Sequence, residues 1–317
     1  MSKRIHPKPV SLAEIFIKFS SDDQCLDYIQ NMRWPDGVVR CTVCGNDKIV
    51  KVERKAGSKN RRKWFYMCQE KTCHNQFSPT SGTLFADSHL PLLTWFHAIG
   101  LMLNAKKGIS AKQLQRDLAI GGYKTAWYLN HRIREAMREG ALPPLGGIVE
   151  IDETYVGGRR RGQGHTTKFQ NKKVVVGLRQ RKGPLRFIHT KDATANTLRQ
   201  IIAHNLSPDV EIVMTDDSSA AKAALKGTGK HRIIRHSIGQ YVDGIIYTQS
   251  VESAFSLLKR GIIGSFHRIS IKHLQKYLNE FSYRFNRRND PDMFIETVRR
   301  LAEFPPLPFD TLTSEKA

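Results

Sequence analysis

The chain has 317 residues, more than one ordinary domain needs, so we expect two or three compact units. Its apolar content of 40% supports hydrophobic cores and excludes global disorder. Lys and Arg outnumber Asp and Glu by 51 to 29, which gives a net charge of +22 spread along the chain. Such a surface favours a nucleic-acid partner, because each phosphate that is neutralised releases counterions. A basic protein kept soluble by its charge is the alternative interpretation.

The sequence has no feature typical of a membrane protein. No apolar run approaches the roughly 20 residues that span a bilayer. The N-terminal stretch MSKRIHPKPV also lacks the apolar segment of a signal peptide. We therefore expect no membrane partner, and a cytoplasmic, nucleoid-associated protein whose thiols are reduced.

The first helical pattern, SDDQCLDYIQNMRW, is followed by two close pairs of cysteines, CTVC and CQEKTC. Close pairs on tight turns, brought together by a hairpin, can place four thiolates tetrahedrally around one structural Zn²⁺. The pattern therefore predicts a core position for Cys25 in the helix and four zinc ligands, Cys41, Cys44, Cys68 and Cys73. Two chance pairs of buried thiols are the alternative.

Between the cysteine pairs, KIVKVERKAGSKNRRKWFYM predicts two strands around a basic turn that includes Arg61 and Arg62. A zinc ribbon with a basic hairpin tip is typical of a module that contacts DNA. A zinc ribbon can equally bind protein, so the metal site alone does not identify the partner.

The helical period returns after the ribbon. LPLLTWFHAIGLMLNAKKG is apolar on most faces and predicts a buried helix, and SAKQLQRDLAIGGYKTAWYLNHRIREAM predicts two helices around a Gly-Gly turn. This spacing suits a helix-turn-helix. Its second helix would present four residues to a DNA groove, Tyr123, Lys124, Asn130 and Arg134. A helical hairpin that binds nothing is the alternative.

Beyond the linker ALPPLGG, the order of elements indicates an α/β domain. IVEIDETYV, KKVVVGLRQR and GPLRFIHT predict three antiparallel strands. A helix (TANTLRQIIAHNL), a strand and helix (DVEIVMTDDSSAAKAAL), a short strand (HRIIRH) and a further helix (SVESAFSLLKRGI) follow. Three antiparallel strands followed by alternating helix and strand is the order of a ribonuclease H-like fold.

Three carboxylates fall where this fold would bring them together. Asp152 lies on the first strand, Asp216 at the C-terminal tip of a later strand, where open α/β sheets carry their chemistry, and Glu252 on the last helix. Such a set can bind two Mg²⁺ (or Mn²⁺) ions, which would activate a water or 3′-hydroxyl and stabilise the leaving oxygen of a phosphodiester. Hard oxygen ligands argue against a second zinc site. Three ordinary surface or strand-end acids are the alternative.

Other charged residues nearby have secondary roles in this interpretation. Asp217 competes with Asp216 for the metal. Three more acids are expected to support the site or lie on the surface, namely Glu150, Glu153 and Asp192. The loop after the first strand carries a run that we expect to grip the phosphate backbone, Arg159, Arg160 and Arg161.

These segments together resemble the zinc-ribbon group of DDE transposases encoded by bacterial insertion sequences. The resemblance spans residues 10–290 through RWPDGVVRCTVCG, FSPTSGTLFADSHLPLLTWFHAI, KGISAKQLQRDL, KTAWYLNHRIREAM, VEIDETYVGG and SVESAFSLLKRGIIGSFHRISIKHLQKYLNEFSYRFNRR. It implies a protein that binds double-stranded DNA at the terminal inverted repeats of its element, cuts it and joins it to target DNA. Two element ends must be held together, so a homodimer or larger assembly is expected.

The resemblance also assigns roles to single residues. Asp152 and Asp216 match the two catalytic aspartates, and Glu252 is the candidate for the third acid. Similar proteins often carry an asparagine three residues before the glutamate, where this chain has Gln249, and a lysine in LLKRG, here Lys259. Residues three and seven apart lie close to one helix face, so Gln249, Glu252 and Lys259 could all point at the catalytic site. Gln249 would then either donate an oxygen ligand or only orient DNA. The cations of this stretch that we expect to contact DNA are Lys259 and Arg260.

The interpretation as a whole predicts a DDE transposase built from five segments. They are an N-terminal helical segment (1–36), a zinc ribbon (37–82), a helical DNA-binding segment (83–140), a ribonuclease H-like catalytic domain (147–290) and a C-terminal helix and tail (291–317). An inactive or domesticated DNA-binding protein and a nuclease with the same metal chemistry are the alternatives. A P-loop ATPase is excluded, because GTGKHR lacks the first glycine and has His231 where Ser or Thr should stand.

Overall fold

The computed structural model describes residues 11–55, 64–140, 142–157, 173–234 and 248–314, which form two compact units. Within those limits, the first unit runs through residues 11–104, 111–137 and 289–314, and the second through 105–110 and 138–288. The first unit is thus assembled from three separate stretches of chain.

The secondary-structure elements of the described residues follow in chain order. The strands are β1 (Ile49–Glu53), β2 (Trp64–Cys68), β3 (Gln76–Phe77), β4 (Ile148–Val156), β5 (Lys173–Gln180), β6 (Leu185–Thr190), β7 (Ile212–Thr215) and β8 (His231–Ile233). The helices are α1 (Leu12–Lys18), α2 (Asp22–Arg33), α3 (Leu92–Asn104), α4 (Ala111–Asp117), α5 (Tyr123–Ala136), α6 (Ala195–Asn205), α7 (Ser219–Leu225), α8 (Gln249–Gly261), α9 (Ile271–Asn286), α10 (Met293–Glu303) and α11 (Phe309–Ser314). A π-helical turn, Ile262–Phe266, continues α8. Among all the residues that the structure describes, no helix combines the length and the apolar content needed to cross a membrane.

A small three-stranded sheet in the first unit carries the predicted zinc ribbon. β1 and β2 pair antiparallel, and the short β3 pairs with the other edge of β2. Its core is a cluster in which Trp34 makes edge-to-face contacts with Tyr66 and Phe77. A core this small buries little apolar surface, so we expect the ribbon to depend on bound metal for its stability.

Aromatic packing joins the helices of the first unit. The ring of Phe19, just after α1, lies 4.7 Å from that of Phe96 on α3, and Phe96 lies 5.9 Å from Phe294 on α10. Cys25 is fully buried in α2, as predicted, and burial raises the pKa of its thiol to about 12. The helix near the C-terminal end of the chain therefore completes a core that begins near residue 15.

Helix α5 corrects one part of the predicted helix-turn-helix surface. Tyr123 and Lys124 in its first turn are exposed, but Asn130 and Arg134 are 0% and 2% exposed. All six residues from Leu129 to Arg134 are buried. Six consecutive residues go around the whole circumference of a helix, so this part of α5 is enclosed on every side. Asn130 and Arg134 therefore do not face a DNA groove in this structure.

The second unit is built on a five-stranded sheet with the order β6-β5-β4-β7-β8. β4, β5 and β6 form an antiparallel meander, while β7 and β8 run parallel to β4. This arrangement confirms the predicted α/β fold class. It also puts β4, the strand of IVEIDETYV, at the centre of the sheet, with partners on both sides.

Helices cover both faces of this sheet, and β4 contributes to both cores. Val149 and Ile151 face the cluster that includes Leu198 of α6 and Leu225 of α7. The alternate positions of β4 face the other layer, in which α8 and α9 pack with Val175 of β5. Glu150, Asp152 and Thr154 fall on this second face, because side chains alternate along a strand. Two acids on an inward face of a central strand are unusual in a protein core, so they mark a candidate site.

The outer edge of β6 is covered by side chains of α9. Asn286 accepts the N–H of Leu185 at 2.7 Å and donates to its carbonyl at 3.0 Å. Gln275 does the same for the N–H of His189 at 2.8 Å and the carbonyl of Phe187 at 3.0 Å. Because these amides take the place of a neighbouring strand, the edge is protected from pairing with another chain.

Candidate active site and zinc centre

The four predicted zinc ligands converge. The sulfur atoms of Cys41, Cys44, Cys68 and Cys73 all lie within 4.8 Å of one another. Cys41 and Cys73 are 3.7 Å apart, and Cys44 and Cys68 are 3.6 Å apart. These separations are far longer than a disulfide bond and match the about 3.8 Å expected between sulfurs around a tetrahedral zinc ion.

The first cysteine knuckle already favours a thiolate. The backbone N–H of Val43 donates to Cys41 Sγ at 3.5 Å. Burial disfavours the charged form of Cys41, but hydrogen bonds from the backbones of Cys44 and Val43 and from neighbouring thiols outweigh it and lower its pKa to about 6. Since the thiolate is the form that binds metal, this geometry fits a structural Zn²⁺.

Asp152 and Asp216 lie on neighbouring parallel strands. The register pairs Glu150 of β4 with Met214 of β7. Two residues further along, Asp152 is still within β4 and Asp216 directly follows the end of β7. Extended by two residues, the same register would set the two aspartates level with each other on neighbouring strands and on the same face.

Helix α8 lies over that face. Asp152 pairs with Gly177 of β5, and a Cβ atom at Gly177 would lie 2.7 Å from Phe255 Cζ and 2.8 Å from Val251 Cγ2. Paired residues project to the same side of a sheet, so Asp152 points to the side where α8 packs. Glu252, the third predicted acid, is next to Val251 in the first turn of this helix. The fold thus brings the elements that carry all three acids together.

The first turn of α8 is tied down by two side chains. Glu150 Oε2 accepts the backbone N–H groups of Ser250 at 3.0 Å and Val251 at 3.2 Å. Thr248, directly before the helix, donates its hydroxyl to Glu252 Oε1 at 2.9 Å. Glu252 is therefore held both through its helix and through its own carboxylate.

Asp216 is fixed by the turn that follows β7. Its Oδ1 accepts the N–H of Ser218 at 3.1 Å. The hydroxyl of the buried Thr215 donates to the Asp216 carbonyl at 2.7 Å and lies 2.8 Å from His231 Nε2 on β8. Ser218 then caps α7 through the N–H of Ala221. Asp216 thus follows a strand end that is stabilised by the contact between Thr215 and His231 of β8.

A fourth carboxylate shares this neighbourhood. Burial raises the pKa of Glu153 to about 7, and the negative charges of Asp216 and Asp152 add to the rise. Glu153 is therefore within electrostatic reach of both aspartates, although alternation along β4 directs it away from α8. Asp192, by contrast, accepts hydrogen bonds from Thr194 and Thr197 at the start of α6 and has the surface role expected of it.

The donor chemistry of this region fits hard divalent cations. Three carboxylates offer the oxygen ligands that Mg²⁺ and Mn²⁺ prefer. Among the residues that the structure describes, however, the four cysteines alone form a set of three or more ligands within 4.8 Å of one another. Asp152, Asp216 and Glu252 are farther apart as a set than that, so their assignment as metal ligands stays a prediction.

The remaining predicted site residues divide into two groups. Gln249, Lys259 and Arg260 are exposed on α8, at its first and last turns. The second group lies outside the described residues and consists of Arg61, Arg62, Arg159, Arg160 and Arg161.

Sequence reasoning did not identify the parts that hold α8 in place. Glu150 was expected to support the site or lie on the surface, and it is 0% exposed. Its partner Arg181, with Nε 3.1 Å from Glu150 Oε1, and Gly177 were not singled out. The available signal was the i, i+2 spacing of Glu150 and Asp152, which puts both acids on one strand face.

Comparison with known proteins supports this reading of the two regions. Residues 20–76 match the family described as a transposase zinc-ribbon domain. Residues 144–286 match the ISXO2-like transposase domain. The matched ranges include all four cysteines and all three predicted acids.

A relative is consistent with both matches. A protein in the transposable element ISH50 of Halobacterium salinarum is 29% identical over 283 residues, which is 84% of this chain and 91% of that protein. The ribbon with its four cysteines, the mixed α/β sheet and the two matched domains lead to one conclusion. Residues 20–76 of this chain are a transposase zinc-ribbon domain, and residues 144–286 are an ISXO2-like transposase domain.

Proposed function

We propose that this transposase binds the terminal inverted repeats of its insertion sequence and catalyses metal-dependent DNA strand cleavage and strand transfer. The observation that carries the proposal is the β4–β7 register, whose extension by two residues would bring Asp152 level with Asp216 on the face that α8 covers. Asp152 and Asp216 would be the first two catalytic acids, and Glu252 the third.

A different structural element would hold each of the three acids. Asp152 is carried by the central strand, Asp216 by the turn after β7, and Glu252 by the first turn of α8, where Thr248 holds its carboxylate. Two Mg²⁺ or Mn²⁺ ions bound by these acids would activate the attacking water or 3′-hydroxyl and stabilise the leaving oxygen. Gln249 and Lys259, exposed on the same helix, would orient the DNA strand near the acids.

Double-stranded DNA, both terminal repeats and target, is the partner that the charge of the chain supports. Lys124 is exposed in the first turn of α5, and if α5 is the recognition helix, this is the turn that would reach base edges. Lys259 and Arg260 would contact phosphates next to the acids, and the arginines at 61–62 and 159–161 would extend the contact. A homodimer or larger assembly would hold two element ends together, on DNA in the nucleoid.

The experiment is incubation of the purified protein with terminal-repeat DNA from its own locus, a target plasmid and Mg²⁺. We expect nicks at the repeat ends and a product in which the element end is joined to the target. Nicking without joining would identify a nuclease, and binding without nicking would identify an inactive DNA-binding protein. Either result would reject the proposal.

A further inference from the structure

Glu150 is a buried carboxylate that hydrogen-bonds to Arg181 and to the first turn of α8. Its side chain is 0% exposed. Burying a carboxylate is costly unless each oxygen has partners. Glu150 Oε1 accepts from Arg181 Nε at 3.1 Å, and Oε2 accepts the N–H groups of Ser250 and Val251. Both oxygens are thus satisfied, one of them by the first turn of α8.

The residue that would ordinarily cap α8 has a different partner. Thr248 stands at the N-cap position but makes no capping hydrogen bond to the helix. Its hydroxyl donates to Glu252 instead. A carboxylate from the strand therefore satisfies the N–H groups that a cap residue normally would, and its negative charge lies at the favourable end of the helix dipole.

Glu150 also lies two residues before Asp152 on the same face of β4. It therefore links the strand that carries the first acid to the turn that carries the third. We propose that Glu150 is a positioning residue, which fixes the separation of Glu252 from Asp152 by capping α8 with a strand carboxylate. The inference rests on the proposed function, because it concerns the same three acids.

The consequence is a specific effect on metal affinity. Without the hydrogen bonds to Glu150, the first turn of α8 would be less fixed, and Glu252 would also adopt positions away from Asp152. Cation binding would then have to restrict Glu252 to one position, which lowers the affinity. Changes in residues that orient metal ligands typically weaken metal affinity by about 10- to 100-fold. We expect Glu150→Gln, which removes the charge and the ion pair with Arg181 but keeps the shape, to weaken Mn²⁺ binding by about that factor.

The test is a double-mutant cycle with Mn²⁺ as the probe and the full chain as the protein. Mn²⁺ binding is measured from the loss of the free-ion EPR signal for wild type, Glu150→Gln, Glu252→Gln and the double variant. We expect Glu150→Gln to cause no further loss of Mn²⁺ affinity once Glu252 has been replaced. We also expect a high Mn²⁺ concentration to restore most of the DNA cleavage of the single variant Glu150→Gln. Equal losses of affinity with and without Glu252, or unchanged affinity in Glu150→Gln, would overturn the inference.

A matched control separates positioning from plain stability. Glu280 is also 0% exposed and pairs with Arg284 in its own helix at 3.2 Å. Glu280→Gln should lower the unfolding temperature but leave Mn²⁺ affinity at the wild-type value. Should Glu150→Gln fail to fold, Glu150→Asp keeps the charge but is one methylene too short to reach α8, and the same loss of Mn²⁺ affinity is expected.

A different set of results would reject the proposed function itself. If Asp152→Asn and Glu252→Gln both leave Mn²⁺ binding unchanged, the metal site is wrong and the role of Glu150 has no basis. If those variants lose Mn²⁺ but Glu150→Gln does not, the metal site stands and the positioning role alone is rejected.

Discussion

Gly177 lies opposite Asp152 and beneath α8, where a side chain has no room. Val251 Cγ2 would be 2.8 Å from an added Cβ, and a short branched side chain cannot move away without moving its helix. Gly177→Ala should therefore displace α8, and Glu252 with it. Overpacking of this kind costs about 1–3 kcal/mol of unfolding free energy.

Urea unfolding and DNA cleavage measure the two effects of Gly177→Ala. Gly146 in the same unit has nothing within 4 Å of its would-be Cβ, so Gly146→Ala is the control and should leave both unchanged. Wild-type stability and cleavage in Gly177→Ala would show that α8 does not press on the sheet at this point.

At the residue scale, the sequence singled out three candidate acids but not the residues that support them. Asp152, Asp216 and Glu252 could be chosen because carboxylates at strand centres and strand ends are unusual and chemically useful. Glu150 and Gly177 could not be assigned, because their roles depend on where α8 docks. That position is set by contacts between residues about 75 to 100 positions apart in the chain, such as Glu150 with Ser250.

At the scale of elements, the zinc ribbon gives the clearest prediction. Cys68 is 0% exposed at the end of β2 and belongs to the four-sulfur cluster. Cys68→Ser should reduce bound zinc from about one ion per chain to a small fraction and unfold the ribbon, because folding and metal binding of such modules are coupled. Metal analysis and the near-ultraviolet circular dichroism of Trp34, Trp64 and Tyr66 report the two losses.

Cys25 provides the matched control for the zinc prediction. It is equally buried but lies in α2, outside the cluster. Cys25→Ala should keep the wild-type zinc content. A Cys68→Ser protein with wild-type zinc would contradict the assignment of the ligands.

The burial of the polar side of helix α5 could not be predicted from the sequence pattern. Its existence and its apolar side followed from the spacing of Ala126, Leu129 and Ile133, all of which are buried. The polar side was expected to be solvated, yet Asn130 and Arg134 are buried as well. A periodic pattern identifies the face that must be covered but does not exclude that the opposite face is covered too.

At the scale of the whole molecule, the net charge of +22 predicts DNA binding that weakens steeply with salt. Each phosphate contact contributes about 0.9 to the slope of log affinity against log salt concentration. Replacing Arg159, Arg160 and Arg161 together by Ala should therefore lower the slope by up to about 2.7. Fluorescence anisotropy with terminal-repeat DNA at several salt concentrations measures it.

The control for the salt prediction is Arg299→Ala on α10. Arg299 forms salt bridges with Glu296 and Glu303 on the same helix, so two carboxylates already balance its positive charge. This variant should keep the wild-type slope. A wild-type slope in the triple variant would mean that these three arginines do not contact phosphate.

The sequence predicted the order of the elements of the α/β domain, and the sheet order confirms that fold class. It did not predict that α10 packs in the first unit with α2 and α3. Periodicity reports only that α10 has an apolar face. The partner of that face lies some 200 residues away along the chain, at Phe96.

The most direct test of the account is strand cleavage by Asp152→Asn and Asp216→Asn on terminal-repeat DNA with Mg²⁺. Each change removes a charged oxygen ligand and keeps the side-chain shape, so we expect cleavage and joining to fall by several powers of ten while DNA affinity stays at the wild-type value. Wild-type cleavage by Asp152→Asn would contradict the account and reduce the acids of β4 to ordinary strand residues.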